Sequence, residues 1–325
     1  MAETPISLSV KSRGKLIKFL PTDYAVTPSS PSSDLYAAFA SKTRLSPHRL
    51  RIVNDATGQA VPNVRDISLA TAGLHDGSTV SVKDLGPQIA WRTVFIVEYL
   101  GPLLLHPLIF ELRPYLYSSP SSWGSAVPAP SNLQTLSLVL ITLHFIKREL
   151  ETIFVHRFSL ATMPALNIFK NSAHYWLLAG ANIAYWTYSP RAAAQAHNPP
   201  ISPTDLLLGA GNDPLTALGV ILFAAGELLN LNSHLVLRDL RRPGSTERGI
   251  PRGFGYNWVT CPNYLFEIVA WVGIALVTRS WSTWVFVVIA GGQMVLWAQK
   301  KERRYRKEFG DKYKKKRFAM VPGLI

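Results

Sequence analysis

Hydrophobic positions follow two regimes along the chain. Up to about residue 86 they come in short stretches that alternate with polar positions. Beyond Gly86 they gather into apolar runs near 90–110, 132–148, 172–188, 205–231, 263–279 and 281–298. Most of these runs approach the ~20 residues a helix needs to cross the hydrocarbon core. The pattern therefore predicts a multi-pass α-helical membrane protein of about six transmembrane helices over 87–325, preceded by a small α+β domain over 1–86. The second run is short and closes on Lys147 and Arg148, which must reach an interface or line a polar cavity.

Within the first 86 residues, Ile6–Val10 and Lys15–Phe19 alternate with the period of half-buried strands, joined by the basic turn Lys11–Gly14. A Pro/Ser-rich stretch, Thr27–Ser33, leads into Asp34–Ala40, where Leu35, Ala38 and Phe39 share a helical face and Asp34 or Ser33 is a candidate N-cap. Short strands are expected at Arg49–Val53 and Thr79–Val82, beside Gly, Pro and Asn turns. Hairpin, helix and further short strands in this order resemble a ubiquitin-like β-grasp domain. An unrelated small α+β fold is the alternative.

Charge locates the sides of the membrane. Only 17% of residues are charged, below the roughly 25% usual in soluble domains. The net charge of +14 could suit nucleic acid, but Gln299–Arg317 alone holds 11 Lys/Arg against 3 Asp/Glu, directly behind an apolar run. Such a tail faces anionic lipid rather than nucleic acid. The stretches 147–170, 238–252 and the tail carry 20 Lys/Arg between them, and the opposite loops only Arg113, Arg191 and Arg279. That asymmetry places both termini in the cytosol. Cys261 is the sole cysteine, so neither an intrachain disulfide nor a thiolate cluster can form. Met1–Val10 has no basic, apolar leader, which leaves insertion to the first apolar helix.

Polar residues inside apolar runs mark candidate chemistry. Glu98 lies in the first run, in Val97-Glu98-Tyr99-Leu100-Gly101-Pro102. A carboxylate there must be protonated or paired, and its structural reading is pairing to another helix. Asn230, His234, Leu237 and Arg241 form one helical stripe, with Glu227 near it. Such groups line an internal cavity or join helices as polar contacts. Tyr264 opens the fifth run, where an interfacial aromatic is the plain alternative. His144 and His156 are twelve residues apart and lack the spacing of a helical zinc pair, so no metal site is expected. Lys147 and Glu151 read as an ordinary i, i+4 pair.

Longer motifs carry a resemblance. Asn230-x-x-Ser233, Leu237-Arg238-x-Leu240-Arg241-x-Pro243-Gly244, Ile250-Pro251-x-Gly253 and Pro262-Asn263-Tyr264-x-x-Glu267 resemble the signature of the steroid 5α-reductase superfamily. Trp297, Tyr305, Phe309, Tyr313 and Pro322 continue it. The stretch His144–Ser159 and Cys261–Tyr264, with the N-terminal domain, point to its trans-2-enoyl-CoA reductase branch. The resemblance implies NADPH-dependent reduction of trans-2,3-enoyl-CoA as the last step of very-long-chain fatty acid elongation. It implies a location in the endoplasmic reticulum membrane, contact with membrane lipid, and an elongase, a ketoacyl-CoA reductase and a hydroxyacyl-CoA dehydratase as partners. No nucleic acid is expected.

By the same resemblance Tyr264 stands at the catalytic tyrosine and Glu98 at the essential glutamate, orienting either the tyrosine or the substrate carbonyl. Asn230, Ser233, His234, Arg238, Arg241, Asn263 and Tyr305, with Lys301 and Arg148 behind them, are the expected cofactor contacts. The family pattern often has Asp where His234 stands. Lys147, His156 and Arg157 are expected at the mouth that receives the CoA phosphates. No strand–GxGxxG–helix unit is present, and Gly253-Phe254-Gly255 is a loop fragment, so a Rossmann domain is not expected. Competing readings are a 3-oxo-steroid or polyprenol reductase, an S-adenosylmethionine-dependent membrane methyltransferase, and a non-enzymatic ubiquitin-like adaptor.

Overall fold

The computed structural model describes residues 3–118, 127–158, 161–195, 213–240, 249–313 and 318–324. The chain divides into two compact units, one of residues 1–90 with 161–167, the other of 91–160 with 168–325.

In the first unit β1 (Ile6–Ser12), β2 (Asp23–Val26), β3 (Leu50–Asn54) and β4 (Thr79–Asp84) form a mixed sheet in the order β2-β1-β4-β3, with helix α1 (Ser32–Thr43) between β2 and β3. β1 and β4 are parallel, with Ser9 against Thr79 and Ser12 against Val82. Alternation in β1 and β4 sends Leu8, Val10, Val80 and Val82 into one core, where they meet Leu35 and Phe39 from α1. Arg44 ends α1 in the left-handed conformation. A short pair, β5 (Gln88–Ala90) with β6 (Thr162–Pro164), completes the unit.

Two local expectations fail in this unit. Lys15–Phe19 is not the second strand; β1 pairs instead with residues 23–26. Only Ile17 of that stretch is buried, and Phe19 has φ of 62°, which ends any extended run. Helix α1 starts at Ser32, and its N-cap is Pro31 rather than Asp34 or Ser33. The Ser32 hydroxyl donates to the Val64 carbonyl instead, while Asp34 sits in the first turn, where its charge favours the helix dipole.

The second unit is helical. It contains α2 (Trp91–Glu111), the short α3 (Arg113–Leu116), α4 (Asn132–Leu150) with a π-helical continuation Glu151–Val155, α5 (Asn167–Ser172), a π-helical stretch Ala173–Asn182, α6 (Ile183–Thr187) and α7 (Pro190–Gln195). Then come α8 (Pro214–Asp239), α9 (Pro262–Thr278) and α10 (Trp281–Phe309). Among the described residues three helical segments are long and apolar enough to cross a membrane: Trp91–Glu111, Pro214–Asp239 and Trp281–Lys312. Pro262–Thr278 is a shorter apolar helix. The first part of the fourth predicted run, 205–212, lies outside the described residues.

Glycines set how closely α8 and α9 approach. A Cβ on Gly273 would lie 2.5 Å from the Gly219 carbonyl oxygen and 2.6 Å from the Phe223 nitrogen; one on Gly226 would lie 2.5 Å from the Ala270 nitrogen. Backbone meets backbone here, so no side chain can yield. Small residues permit such contact between membrane helices, where packing rather than water drives association. Trp271, Ile274 and Phe286 fill the adjoining core. Gly292, by contrast, has nothing within 4 Å of an added Cβ.

This contrast sets an expectation for stability. Gly273→Val must separate α8 from α9, at a cost of about 1–3 kcal/mol for overpacking. Thermal unfolding in detergent should show a lowered transition for Gly273→Val and an unchanged one for Gly292→Val.

Candidate active site

Helix α2 presents Glu98 to the interior. Pro102 has no N–H for the carbonyl of residue 98, so the helix loses one bond directly beside the carboxyl group. Gly101 makes room for Trp176, whose indole would be 2.2 Å from an added Cβ and whose Nε1 donates to the Val97 carbonyl at 2.8 Å. Glu98 is 2% exposed. The next residue, Tyr99, accepts from the Arg148 guanidinium at 2.8 Å, and that cation also sits over its ring, 5.0 Å from the centroid.

Arg148 belongs to a buried polar network that joins α2, α4, α8 and α9. Its Nη1 lies 2.8 Å from Glu151 Oε2, and its Nε 3.7 Å from Glu267 Oε1. Lys147 reaches Glu227 at 2.9 Å, Glu151 at 3.3 Å and the Asn230 carbonyl oxygen Oδ1 at 2.6 Å. His144 Nδ1 lies 2.5 Å from Glu227, and Asn230 Nδ2 donates to Glu267 at 3.0 Å and to the Asn263 carbonyl at 2.8 Å. His234 Nδ1 is 3.1 Å from Glu151. The Lys147–Glu151 pair, expected as an ordinary i, i+4 pair, is thus part of a buried lattice. Residues three and four apart on α4 share one face, and in apolar surroundings every charge there must be matched.

Tyr264 lies in the first turn of α9, which Pro262 opens at a position where a missing N–H costs nothing. Its own N–H donates to the Cys261 carbonyl, and its ring faces Trp297 at 6.3 Å. The approach to this turn is held from behind. Thr260 N and Cys261 N donate to the Phe318 and Ala319 carbonyls, and Phe318 N donates to Trp258, so a tail strand pairs with residues 258–261. Buried Glu302 on α10 secures the same place by accepting from Thr260, from Tyr313 at 2.7 Å and from Arg306 at 2.7 Å. Arg148 bonds Tyr99, next to Glu98, and lies 3.7 Å from Glu267, three residues beyond Tyr264, so it links the two helices that carry these groups.

Other predicted residues sort by what they touch. Asn230 and His234 are buried and committed within the network. The Ser233 hydroxyl donates to its own helix at the Leu229 carbonyl. Tyr305 is buried between Phe309 and Tyr313, with Lys301 5.6 Å from its ring centroid. Arg238 pairs with neighbouring Asp239 at 2.8 Å, and the Arg157 guanidinium donates to the Arg238 carbonyl. Arg241 lies outside the described residues. The His156 ring meets the His234 ring edge to face at 4.8 Å. Burial first, and the nearby Arg148 charge second, push the His156 imidazole well down, so it offers neutral hydrogen bonds rather than positive charge to a phosphate.

Glu151, His156 and His234 bring donor atoms within 4.8 Å of one another. The Arg148 guanidinium already occupies Glu151 Oε2, and Lys147 stands at its other oxygen, so fixed cations fill the place a metal ion would take. A nicotinamide cofactor fits the donor set better. Among the described residues, the buried oxygens Glu98 Oε2 and Asn263 Oδ1 lack hydrogen-bond partners, and both could accept from a carboxamide or a ribose hydroxyl. Tyr99, Glu267 and Glu302 were absent from the sequence-based site. Glu267 carried the signal that singled out Glu98, a lone acid in an apolar run, whereas Glu302 sits among Lys and Arg and reads as a solvated face.

Residues 161–325 match the 3-oxo-5-alpha-steroid 4-dehydrogenase family. The chain is 42% identical to a Schizosaccharomyces pombe protein named as an enoyl reductase, over 98% of this chain and 100% of that one. It is 39% identical to the very-long-chain enoyl-CoA reductase of Dictyostelium discoideum, over 93% and 94% of the two chains. It is 30% identical to a human trans-2,3-enoyl-CoA reductase-like protein, over 76% of this chain and 64% of the other.

The depressed His156 imidazole has a consequence for pH. Below the ordinary value of 6.5 the unfolded chain takes up a proton there that the folded protein refuses. Stability should therefore fall as pH drops from 7 toward 5, and His156→Gln should flatten part of that slope in thermal unfolding.

Proposed function

Because this chain belongs to the 3-oxo-5-alpha-steroid 4-dehydrogenase family, alongside the enoyl-CoA reductases, we propose that it reduces the trans-2,3 double bond of very-long-chain enoyl-CoA with NADPH. It is an oxidoreductase acting on a CH–CH bond. The observation that carries the reading is the buried Arg148, which bonds Tyr99, the neighbour of Glu98 on α2, and approaches Glu267, three residues beyond Tyr264 on α9.

The reaction needs a hydride at Cβ, a proton at Cα and stabilisation of charge on the thioester oxygen. The bound nicotinamide supplies the hydride. Tyr264 holds the proton for Cα at its phenolic oxygen, in a first helical turn fixed by Pro262 and by the tail strand. Glu98, whose Oε2 has no partner among the described residues, orients the substrate carbonyl as a donor when protonated, or the cofactor as an acceptor. Arg148, committed to Tyr99, Glu151 and Glu267, positions this machinery rather than contacting phosphate. Asn263 and Tyr305 would line the nicotinamide end, and Lys301, Arg238 and Arg241 would meet the diphosphate and 2′-phosphate. Asn230, Ser233 and His234 would shape the wall, and Lys147, His156 and Arg157 the acyl-CoA mouth.

The same reading extends to the cellular setting. Six helices cross the endoplasmic reticulum membrane with both termini in the cytosol, supported by the 20-to-3 distribution of Lys and Arg. The N-terminal domain is ubiquitin-like, supported by the sheet order β2-β1-β4-β3 with parallel β1 and β4 and one helix between hairpin and later strands. Elongase, ketoacyl-CoA reductase and hydroxyacyl-CoA dehydratase are the fitting partners, since they make the enoyl-CoA consumed here.

NADPH consumption on trans-2-enoyl-CoA tests the reading. Tyr264→Phe should lower the rate by about 10²–10⁴-fold, the range for loss of a general acid, with substrate binding retained. Glu98→Gln should also lower kcat. A Tyr264→Phe protein that folds normally and keeps its rate would overturn the role given to Tyr264, and a folded wild-type chain with no rate at all would shift the assignment to a non-enzymatic adaptor.

A further inference from the structure

The segment between β1 and β2 plays no part in this chemistry. Residues 11–22 carry Lys11, Arg13, Lys15 and Lys18 and no acidic residue. Ile17 turns into the core of the first unit, and its neighbours are thereby driven outward: Leu16 is 85% exposed and Phe19 71%. Phe19 adopts φ of 62°, a left-handed conformation that a bulky side chain tolerates only where something else requires it. Arg44, from the C-terminal end of α1, places its guanidinium 6.0 Å from the Phe19 ring centroid. The result is two apolar tips in a segment whose charged residues are all cationic, with Arg44 beside one of them.

Sheet register fixes where these tips lie. β1 and β4 run parallel, with Ser12 opposite Val82, so the 13–20 loop leaves the sheet at the edge where β4 ends. From that edge the chain continues through β5 directly into Trp91, the first residue of an apolar helix long enough to cross a membrane. Asp84, the acid at this edge, also feels the Lys15 charge, but its carboxylate is held by Arg49 through two hydrogen bonds. Two exposed side chains are far too little for a protein interface, which takes about 800 Å² from each partner. They do match a leaflet, in which acyl chains lie beneath anionic headgroups.

We propose that the 13–20 loop is a lipid-docking loop. Leu16 and Phe19 insert among acyl chains, and Arg13, Lys15, Lys18 and Arg44 bind anionic headgroups. Docking depends on the chain being anchored in a membrane and not on its reductase activity, so the two can fail separately.

The test uses the full chain in vesicles of phosphatidylcholine with and without phosphatidylserine, the lipids carrying nitroxide on their acyl chains. A fluorescent label is placed at Leu16→Cys, at Phe19→Cys, or at Thr57→Cys on the opposite end of the sheet; native Cys261 is buried. Quenching at 16 and 19 should exceed that at 57 several-fold, rise with phosphatidylserine, and fall at high salt. Lys15→Glu with Lys18→Glu should abolish the phosphatidylserine dependence while enoyl-CoA reduction persists. Equal quenching at 19 and 57, or quenching indifferent to phosphatidylserine, overturns the proposal. So does a label at 19 that lipid leaves untouched but a soluble acidic protein shields, which would assign the loop to a protein partner.

Discussion

The arrangement of the helical unit depends on one guanidinium that is nearly cut off from water. Arg148 is 8% exposed, and its contacts run to α2 through Tyr99, along α4 to Glu151 and across to α9 through Glu267. A charge in such a place is tolerable only if its partners are held around it, and removing one partner of a buried pair typically costs about 3–5 kcal/mol. The network thus constrains helix rotation more tightly than apolar packing could. A turn of α9 that withdrew Glu267 would also uncouple Asn230, and through it Lys147.

Backbone irregularities serve the same end. Pro102 weakens α2 at Glu98, and π-helical turns interrupt the two neighbouring segments at Glu151–Val155 and Ala173–Asn182. Each extra residue in a π turn rotates the chain beyond it. Glu151, where the α4 register gives way to the π turn, still meets Lys147 and Arg148 at ordinary helical spacing and reaches His234 on α8 as well. The tight α8–α9 seam at Gly219, Gly226 and Gly273 then leaves α9 no room to shift.

Much of this was legible in the residues, for identifiable reasons. Glu98 stood out because a carboxylate is costly in an apolar run, and it is indeed buried. The polar side of α8 was visible from the spacing of Asn230 and His234. The second strand was misplaced because Lys15–Phe19 alternates as a strand does, and alternation alone cannot reveal that Phe19 takes a positive φ. π-helical turns leave no periodic trace over so few residues. Glu302 was hidden by its cationic neighbours, since only the folded chain shows Thr260 and Tyr313 closing on it.

The tail strand bears on how the protein is made. Residues 318 and 319 pair with 258–261, so the turn that carries Tyr264 gains part of its backing from a segment translated some fifty codons later. On the ribosome, Glu98 and the helices around Arg148 emerge well before that support exists. A nascent chain would thus pass through synthesis with its chemistry disarmed, and a fusion placed close behind Phe318–Met320 would risk leaving it so.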